Sequence, residues 1–403
     1  MHIITDEHVI EELVSSRYIE RVFPNEEALR DLLYAGKRCL IYIGIDPTSP
    51  HLHLGHSTNL LLLKKFQALG HRVIFLIGDF TALVGDPTGK ESARKAMSRG
   101  EVMENAKGYK EQAGPILDFR SKENPVEIKF NSQWLSVLTL KEVIHLGAKI
   151  TVGQLIKRDM FQERMKAGKE IYLHEFLYPL LQGYDSVAMD VDIEAGGNDQ
   201  TFNMLVGRDL MKDYLQKEKV VIATKLLVNP KTQKKLMSKS EGNYIALNDP
   251  PLEMYGKIMA LGDEVVGEVI RLCTELSNSE IEEIEKQKNP KEKKERLARE
   301  IVMLYHGEEE TKKAEKEFSR IFSQKKLPDS MPEVMLPKKS ISIIDLLLKA
   351  RLASSKSEAR RLVKQGGVRV DEKGITSPDE AIDLTHPRIL SKGKRYFIKV
   401  VGE

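Results

Sequence analysis

The spacing of apolar residues changes along the first part of the chain. Residues 6–37 place them at helical intervals, with Pro24-Asn25 supplying a break and a cap before EEALRDLLYAG, and this predicts amphipathic helices. From Cys39 the pattern becomes strand and helix in alternation. CLIYIGID is a continuous apolar run, LGHSTNLLLLKKFQALG reads as a helix ending at Gly70, and HRVIFLIGD is the next strand. Such a βαβ unit predicts a parallel sheet covered on both faces, and hence an α/β fold. Further strands near Val126–Phe130 and Lys219–Thr224 bracket a helical insertion made of LKEVIHLGAKI, VGQLIKRDMFQERMKAG and HEFLYPLLQGY. Helix-rich sequence follows from about Pro251 to Phe322. Three prolines then fall between Pro328 and Pro337, which marks a linker. The expected domains are 1–250, a helical 251–325, a linker at 326–340 and a small α+β unit at 341–403.

Charge and cysteine content narrow the class. The net charge is +3 with 31% charged residues, so both signs are dense and no uniformly basic surface exists. Cys39 and Cys273 follow no metal spacing, which fits a reduced, cytoplasmic protein. The segment MHIITDEHVIEEL has an early acid and no apolar core, so no secretory leader is expected. No apolar stretch approaches the roughly 18 residues that a membrane span requires.

The densest chemistry lies in Asp46-Pro47-Thr48-Ser49-Pro50-His51-Leu52-His53-Leu54-Gly55-His56. It follows the first strand of the parallel sheet, and the carboxyl ends of such strands are where open α/β sheets bind ligands. The next helix begins there, and its unpaired N–H groups and positive dipole end suit phosphate. Gly55 would let a ligand approach the backbone. His53 and His56 are three apart and share one face of the starting helix. Far downstream, Lys234-Lys235-Leu236-Met237-Ser238-Lys239-Ser240 forms a polar, basic loop. Alone, either motif also suits an ordinary solvated loop. Tyr178, Gln182 and Asp185 are spaced by four and three, so one helical face presents all of them. Lys90 and Arg94 are four apart and share a face that suits a phosphate group, free or in a nucleic-acid backbone, or plain solvent.

HLGH and MSKS resemble the HIGH and KMSKS signatures of class I aminoacyl-tRNA synthetases. IYIGIDPTSPHLHLGH, LVGDPTGKESAR, YPLLQGYD and GGNDQ resemble, more closely, bacterial tyrosyl-tRNA synthetases, over nearly the whole chain from about Leu32. The resemblance implies a Rossmann-like catalytic domain, a helical anticodon-binding domain and a C-terminal S4-like RNA-binding domain. It implies activation of tyrosine to tyrosyl-adenylate and transfer to tRNA(Tyr), with Mg²⁺ carried by ATP, no protein-held metal, and a homodimer. By the same resemblance Thr48, His53 and His56 hold the ATP phosphates, and Lys239 closes on pyrophosphate. Asp46, Gly55, Gly197, Asp199, Met237, Ser238, Ser240 and Lys235 complete the ATP set. Tyr42 and Asp185 contact the phenol, Asp86, Tyr178 and Gln182 the ammonium, and Gln200 the tyrosine. The family's first KMSKS lysine is replaced by Leu236, leaving open whether Lys235 serves instead or Lys239 acts alone.

The tail carries its own signal. Ser355-Lys356-Ser357-Glu358 reads as a capping box opening a helix that stops at Gly366-Gly367. Lys356, Arg360 and Lys364 recur every four residues with Arg361 beside them. Seven basic residues and one acid lie between Leu346 and Arg369, enough for a local phosphate-binding stripe. The mixed-charge helix near Lys291–Arg299 matches the anticodon-binding domain only in position. Three rival readings are a tryptophan-specific relative, a dinucleotide-forming nucleotidyltransferase that also uses HxGH, and an RNA-binding accessory on a synthetase scaffold.

Overall fold

A computed structural model describes residues 3–88, 97–237, 244–322, 331–337, 339–371, 373–393 and 396–402. Packing divides the chain into two units, Met1–Asp249 with Leu261–Tyr305, and Pro250–Ala260 with His306–Glu403.

The first unit is built on six strands: β1 (Ile19–Phe23), β2 (Leu40–Ile45), β3 (Arg72–Ile77), β4 (Glu127–Phe130), β5 (Ile193–Gly197) and β6 (Val220–Thr224). Their order is β1-β6-β5-β2-β3-β4, parallel throughout except for β1, which runs antiparallel to β6. β2 and β3 are buried almost end to end because helices cover both faces. The chain leaves β2 toward β3 and β4, then returns to β5 on the other side, so a crevice opens at the carboxyl ends of β2 and β5.

Two local expectations change. β1 lies inside a region read as helical: IERVF is short and only partly apolar, and its strand form depends on pairing with β6. The expected helix VGQLIKRDMFQERMKAG is two, Val152–Ile156 and Asp159–Lys166, broken where Arg158 adopts extended backbone. GGNDQ starts at the end of β5.

The packing also divides at other places than the expected boundaries. Residues 261–305 belong to the first unit, where Arg17 Nε donates to the Arg271 carbonyl (2.6 Å), the Tyr18 hydroxyl to the Thr274 carbonyl (2.7 Å), and Ser57 bonds the Tyr305 hydroxyl (2.7 Å). In the second unit, β7 (Glu333–Leu336) falls inside the expected linker and pairs in parallel with a terminal strand, so part of that linker is sheet. The remaining strands are β8 (Ser340–Ser342), β9 (Val368–Val370), β10 (Lys373–Ile375), β11 (Ala381–Asp383), β12 (Arg388–Lys392) and β13 (Tyr396–Gly402). They form a five-stranded sheet, β10-β9-β12-β13-β7, and a two-stranded one, β11-β8. Ile343, Leu346, Leu347, Ala359, Val363 and Val368 are among the residues of its core.

Candidate active site

The loop after β2 ends at His53, the N-cap of the Leu54–Ala68 helix. Two imidazoles make the cap. His53 Nδ1 accepts from the Gly55 N–H (3.2 Å), and His56 Nδ1 accepts from the His53 N–H (3.0 Å). With Nδ1 accepting, a neutral His53 ring carries its hydrogen on Nε2, which makes that edge a donor, whereas His56 Nδ1 also lies 3.2 Å from the His53 carbonyl, to which its other tautomer donates. The rings lie 4.1 Å apart. Gly55 also makes room for the cap itself: a Cβ there would stand 3.0 Å from the folded-back His53 ring. The loop is braced from outside by Tyr109, whose hydroxyl donates to the Ser49 carbonyl (2.7 Å), and by Gln112, which bonds Leu52 N and the Pro50 carbonyl (2.8 and 2.9 Å).

Asp46 is the junction of the site. Its Oδ1 accepts from the Thr81 hydroxyl (2.7 Å) and its Oδ2 from the Tyr178 hydroxyl (2.9 Å). Gly78 must be glycine because any Cβ would collide with that carboxylate. The Leu173–Met189 helix presents Tyr178, Gln182 and Asp185 together, as their spacing predicts. Asp185 is buried and accepts from Trp134 Nε1 (2.7 Å) and Asn131 Nδ2 (3.2 Å). Burial pushes its pKa well above the usual carboxylate range, against those two donors. Burial likewise raises the Tyr178 phenol, and the Asp46 and Asp86 charges add to it. Asp86 accepts from Thr88 N (2.9 Å) and Gln200 Nε2 (2.8 Å), while Asn203 bridges Gln182 and Gln200 (3.0 and 2.9 Å).

One cleft of about 280 Å³ gathers these groups. Tyr42, Asp46, Thr48, His53, Gly55, His56, Asp86, Tyr178, Gln182, Asp185, Gly197, Asp199, Gln200, Lys235 and Met237 all line it. Lys235 Nζ reaches Asp199 Oδ2 at 2.5 Å, and the adjoining backbone is tied by Leu236 N to the Leu227 carbonyl (2.9 Å). Lys90, Arg94, Ser238, Lys239 and Ser240 lie outside the described residues.

Residues 35–323 match the family model of tRNA synthetases class I (W and Y), and residues 323–400 match the Tyrosine–tRNA ligase SYY-like C-terminal domain. The chain belongs to the tyrosyl-tRNA synthetases. The Tyrosine–tRNA ligase of Thermotoga maritima is 44% identical over 94% of both chains, and that of Aquifex aeolicus is 42% identical over 94% of this chain and 95% of its own. A C-terminally truncated Aspergillus nidulans mitochondrial tyrosyl-tRNA synthetase superposes with a TM-score of 0.65 at 26% identity, covering 78% of this chain and 94% of that one. As a member of this family the chain is a tyrosine–tRNA ligase, an aminoacyl-tRNA synthetase that activates tyrosine with ATP and transfers it to tRNA. No helix among the described residues is long and apolar enough to cross a membrane.

Several groups of this synthetase cleft escape a reading of the chain. Asn131 and Trp134 follow a short strand with no motif around them. Glu194 and Lys219 form a buried ion pair beneath the cleft, between β5 and the start of β6. A charged residue within the apolar stretch around VDIEAGG was the available signal. Arg158 stacks over the Phe202 ring (4.6 Å) and donates to Thr88 (2.9 Å), and burial lowers its pKa to about 10.

In the second unit the Lys356–Lys364 helix buries Ala359 and Val363 and leaves Lys356, Arg360, Arg361 and Lys364 exposed. The capping box is half formed. Ser355 accepts from Glu358 N (3.2 Å), but Glu358 reaches the Ser354 N–H and hydroxyl (2.8 and 2.6 Å) instead of Ser355. Those bonds, with Lys392, push the Glu358 carboxyl down to about 2.

Proposed function

We propose that the cleft holds tyrosine with its phenol at Tyr42 and Asp185, its ammonium at Asp86, Tyr178 and Gln182, and ATP along Thr48, His53 and His56. The observation that carries this reading is the shared cleft, in which Asp46, at the start of the loop that ends in the imidazole cap, bonds Tyr178 of the Leu173–Met189 helix. The tyrosine carboxylate attacks the α-phosphorus of ATP, and pyrophosphate leaves. No side chain acts as nucleophile, so the rate rests on alignment and on charge stabilisation. The Nε2–H edge of His53, and His56 in the tautomer or protonation state that places a hydrogen on Nε2, suit the triphosphate oxygens, whose charge grows as the bond breaks. Mg²⁺ would enter as part of the nucleotide substrate and offset its phosphate charge. Gln200 and Asp199 border tyrosine and ribose beside Gly197, and Met237 borders the nucleotide.

The direct test is amino-acid-dependent ATP–pyrophosphate exchange with tyrosine, phenylalanine and tryptophan side by side. Exchange confined to tyrosine supports the reading; equal exchange with phenylalanine removes the phenol site from it.

The exposed Lys356, Arg360, Arg361 and Lys364 are assigned to the tRNA backbone, within an S4-like domain. Deleting the chain after Phe322 is expected to leave adenylate formation within about threefold while reducing tRNA charging at least tenfold. Undiminished charging by the shortened chain would show that the tail does not hold tRNA. A cut near Lys339 would separate β7 from β13, the strand it pairs with.

A cytoplasmic homodimer completes the proposal. Val137, Leu140, Ile144, Val152 and Leu173 are each more than 60% exposed, an excess of bare apolar side chains within one insertion. Ile144→Glu should shift the sedimenting species from dimer to monomer. A parent protein that already sediments as a monomer excludes the dimer.

A further inference from the structure

The hydrogen of the Tyr42 hydroxyl can be placed by counting bonds. Tyr42 lies buried on β2, and its oxygen is 2.8 Å from Ser186 Oγ, a contact in which either atom could donate. Ser186 has two further partners: Lys219 Nζ at 2.8 Å and Glu194 Oε2 at 3.2 Å. A serine hydroxyl has one hydrogen and two lone pairs. The Lys219 ammonium can only donate, so it occupies one lone pair. The Ser186 hydroxyl donates to Glu194 Oε2, the oxygen that also meets the Lys219 ammonium, so the serine hydrogen is spent there. The remaining lone pair of Ser186 must be filled by the Tyr42 O–H. The surroundings agree: burial and the Glu194 charge raise the Tyr42 pKa far above its ordinary value, so the phenol keeps its hydrogen beside that acid.

We propose that Ser186, Lys219 and Glu194 are positioning residues that fix the polarity of the substrate pocket, turning the Tyr42 hydrogen away from the cleft so that Tyr42 offers the substrate only lone pairs. Tyr42 then contributes an acceptor to the para end of the pocket, beside an Asp185 whose two oxygens accept from Trp134 and Asn131. The same Glu194 accepts from Gln182 Nε2 (3.3 Å), so one buried ion pair also supports the ammonium end. Specificity at the para position is thereby for hydrogen-bond donors. This rests on the proposal that the substrate phenol lies at Tyr42 and Asp185.

The test compares two analogues of similar size in ATP–pyrophosphate exchange: 4-aminophenylalanine, whose neutral aniline donates, and 4-fluorophenylalanine, which cannot. The parent enzyme should favour the amino analogue in kcat/KM by at least about 100-fold. Ser186→Ala leaves the Lys219–Glu194 pair intact but frees the Tyr42 hydrogen to turn into the cleft, and the ratio should fall at least tenfold. Ser186→Thr keeps a hydroxyl and should preserve it. Tyr42→Phe removes the acceptor without disturbing the ion pair, and should lower the same ratio if Ser186→Ala does not fold. Equal losses for both analogues, with the ratio held within twofold, would mean a merely structural network and overturn the inference. If the parent does not distinguish tyrosine from phenylalanine, the phenol site itself is misplaced; if it does and the ratio never moves, only the polarity is wrong.

Discussion

Asp185→Ala lowers kcat/KM for tyrosine activation by about 1,000-fold, the largest expected effect of a single substitution in the cleft. The carboxylate serves Trp134 and Asn131 from inside the protein and, in the proposed complex, the substrate hydroxyl from the cleft. Truncation leaves two buried N–H donors without their acceptor and removes the carboxyl group that meets the substrate hydroxyl. A lost buried bond of this kind costs roughly 1–3 kcal/mol, and about 1.4 kcal/mol is tenfold, so two or three together account for the figure. The loss should not be a loss of fold. Burial raises the Asp185 pKa, so ionising it opposes folding once the pH passes its unfolded value near 3.8, and that cost grows until the folded pKa is reached. Replacing it relieves that cost. The melting-temperature gap between parent and variant should therefore narrow as the pH rises through this window. Exchange kinetics within tenfold of the parent would remove Asp185 from substrate binding.

Lys239→Ala should reduce kcat for adenylate formation by about 10²–10³-fold with little change in tyrosine affinity, because the charge it meets develops only as pyrophosphate departs. The first lysine of the family loop is missing here, replaced by Leu236, and Lys235 has Asp199 as a partner. Lys239 therefore carries the expectation. Single-turnover kinetics with equilibrium tyrosine binding separates the two quantities. A kcat within threefold of the parent would transfer the role to Lys235, for which Lys235→Ala is the matching experiment.

Local signals explain which parts were legible in advance. β2, β3 and the Leu54–Ala68 helix declare themselves because continuous apolar runs and a helix with an identifiable start need no distant partner. Tyr178, Gln182 and Asp185 share the cleft because helical periodicity alone puts them on one face. β1 carries no such mark, since its strand form is supplied by β6, some two hundred residues later. Residues 261–305 read as a separate helical domain because composition shows helices but not what they pack against.

The site divides along the same line. Residue order and spacing determined that an α/β sheet would place DPTSPHLHLGH at a strand end, that two histidines would open the next helix, and that the tail would carry a basic face. Tertiary structure decided the rest. It turned the histidine Nδ1 atoms into caps, committed Asp46 to Thr81 and Tyr178, brought Trp134 and Asn131 to Asp185, and buried Lys219 against Glu194 under Tyr42. The physical reason is that a helix or strand is specified by neighbours a few residues away. The ionisation and hydrogen placement of a buried group depend instead on partners that only folding brings within about 3 Å.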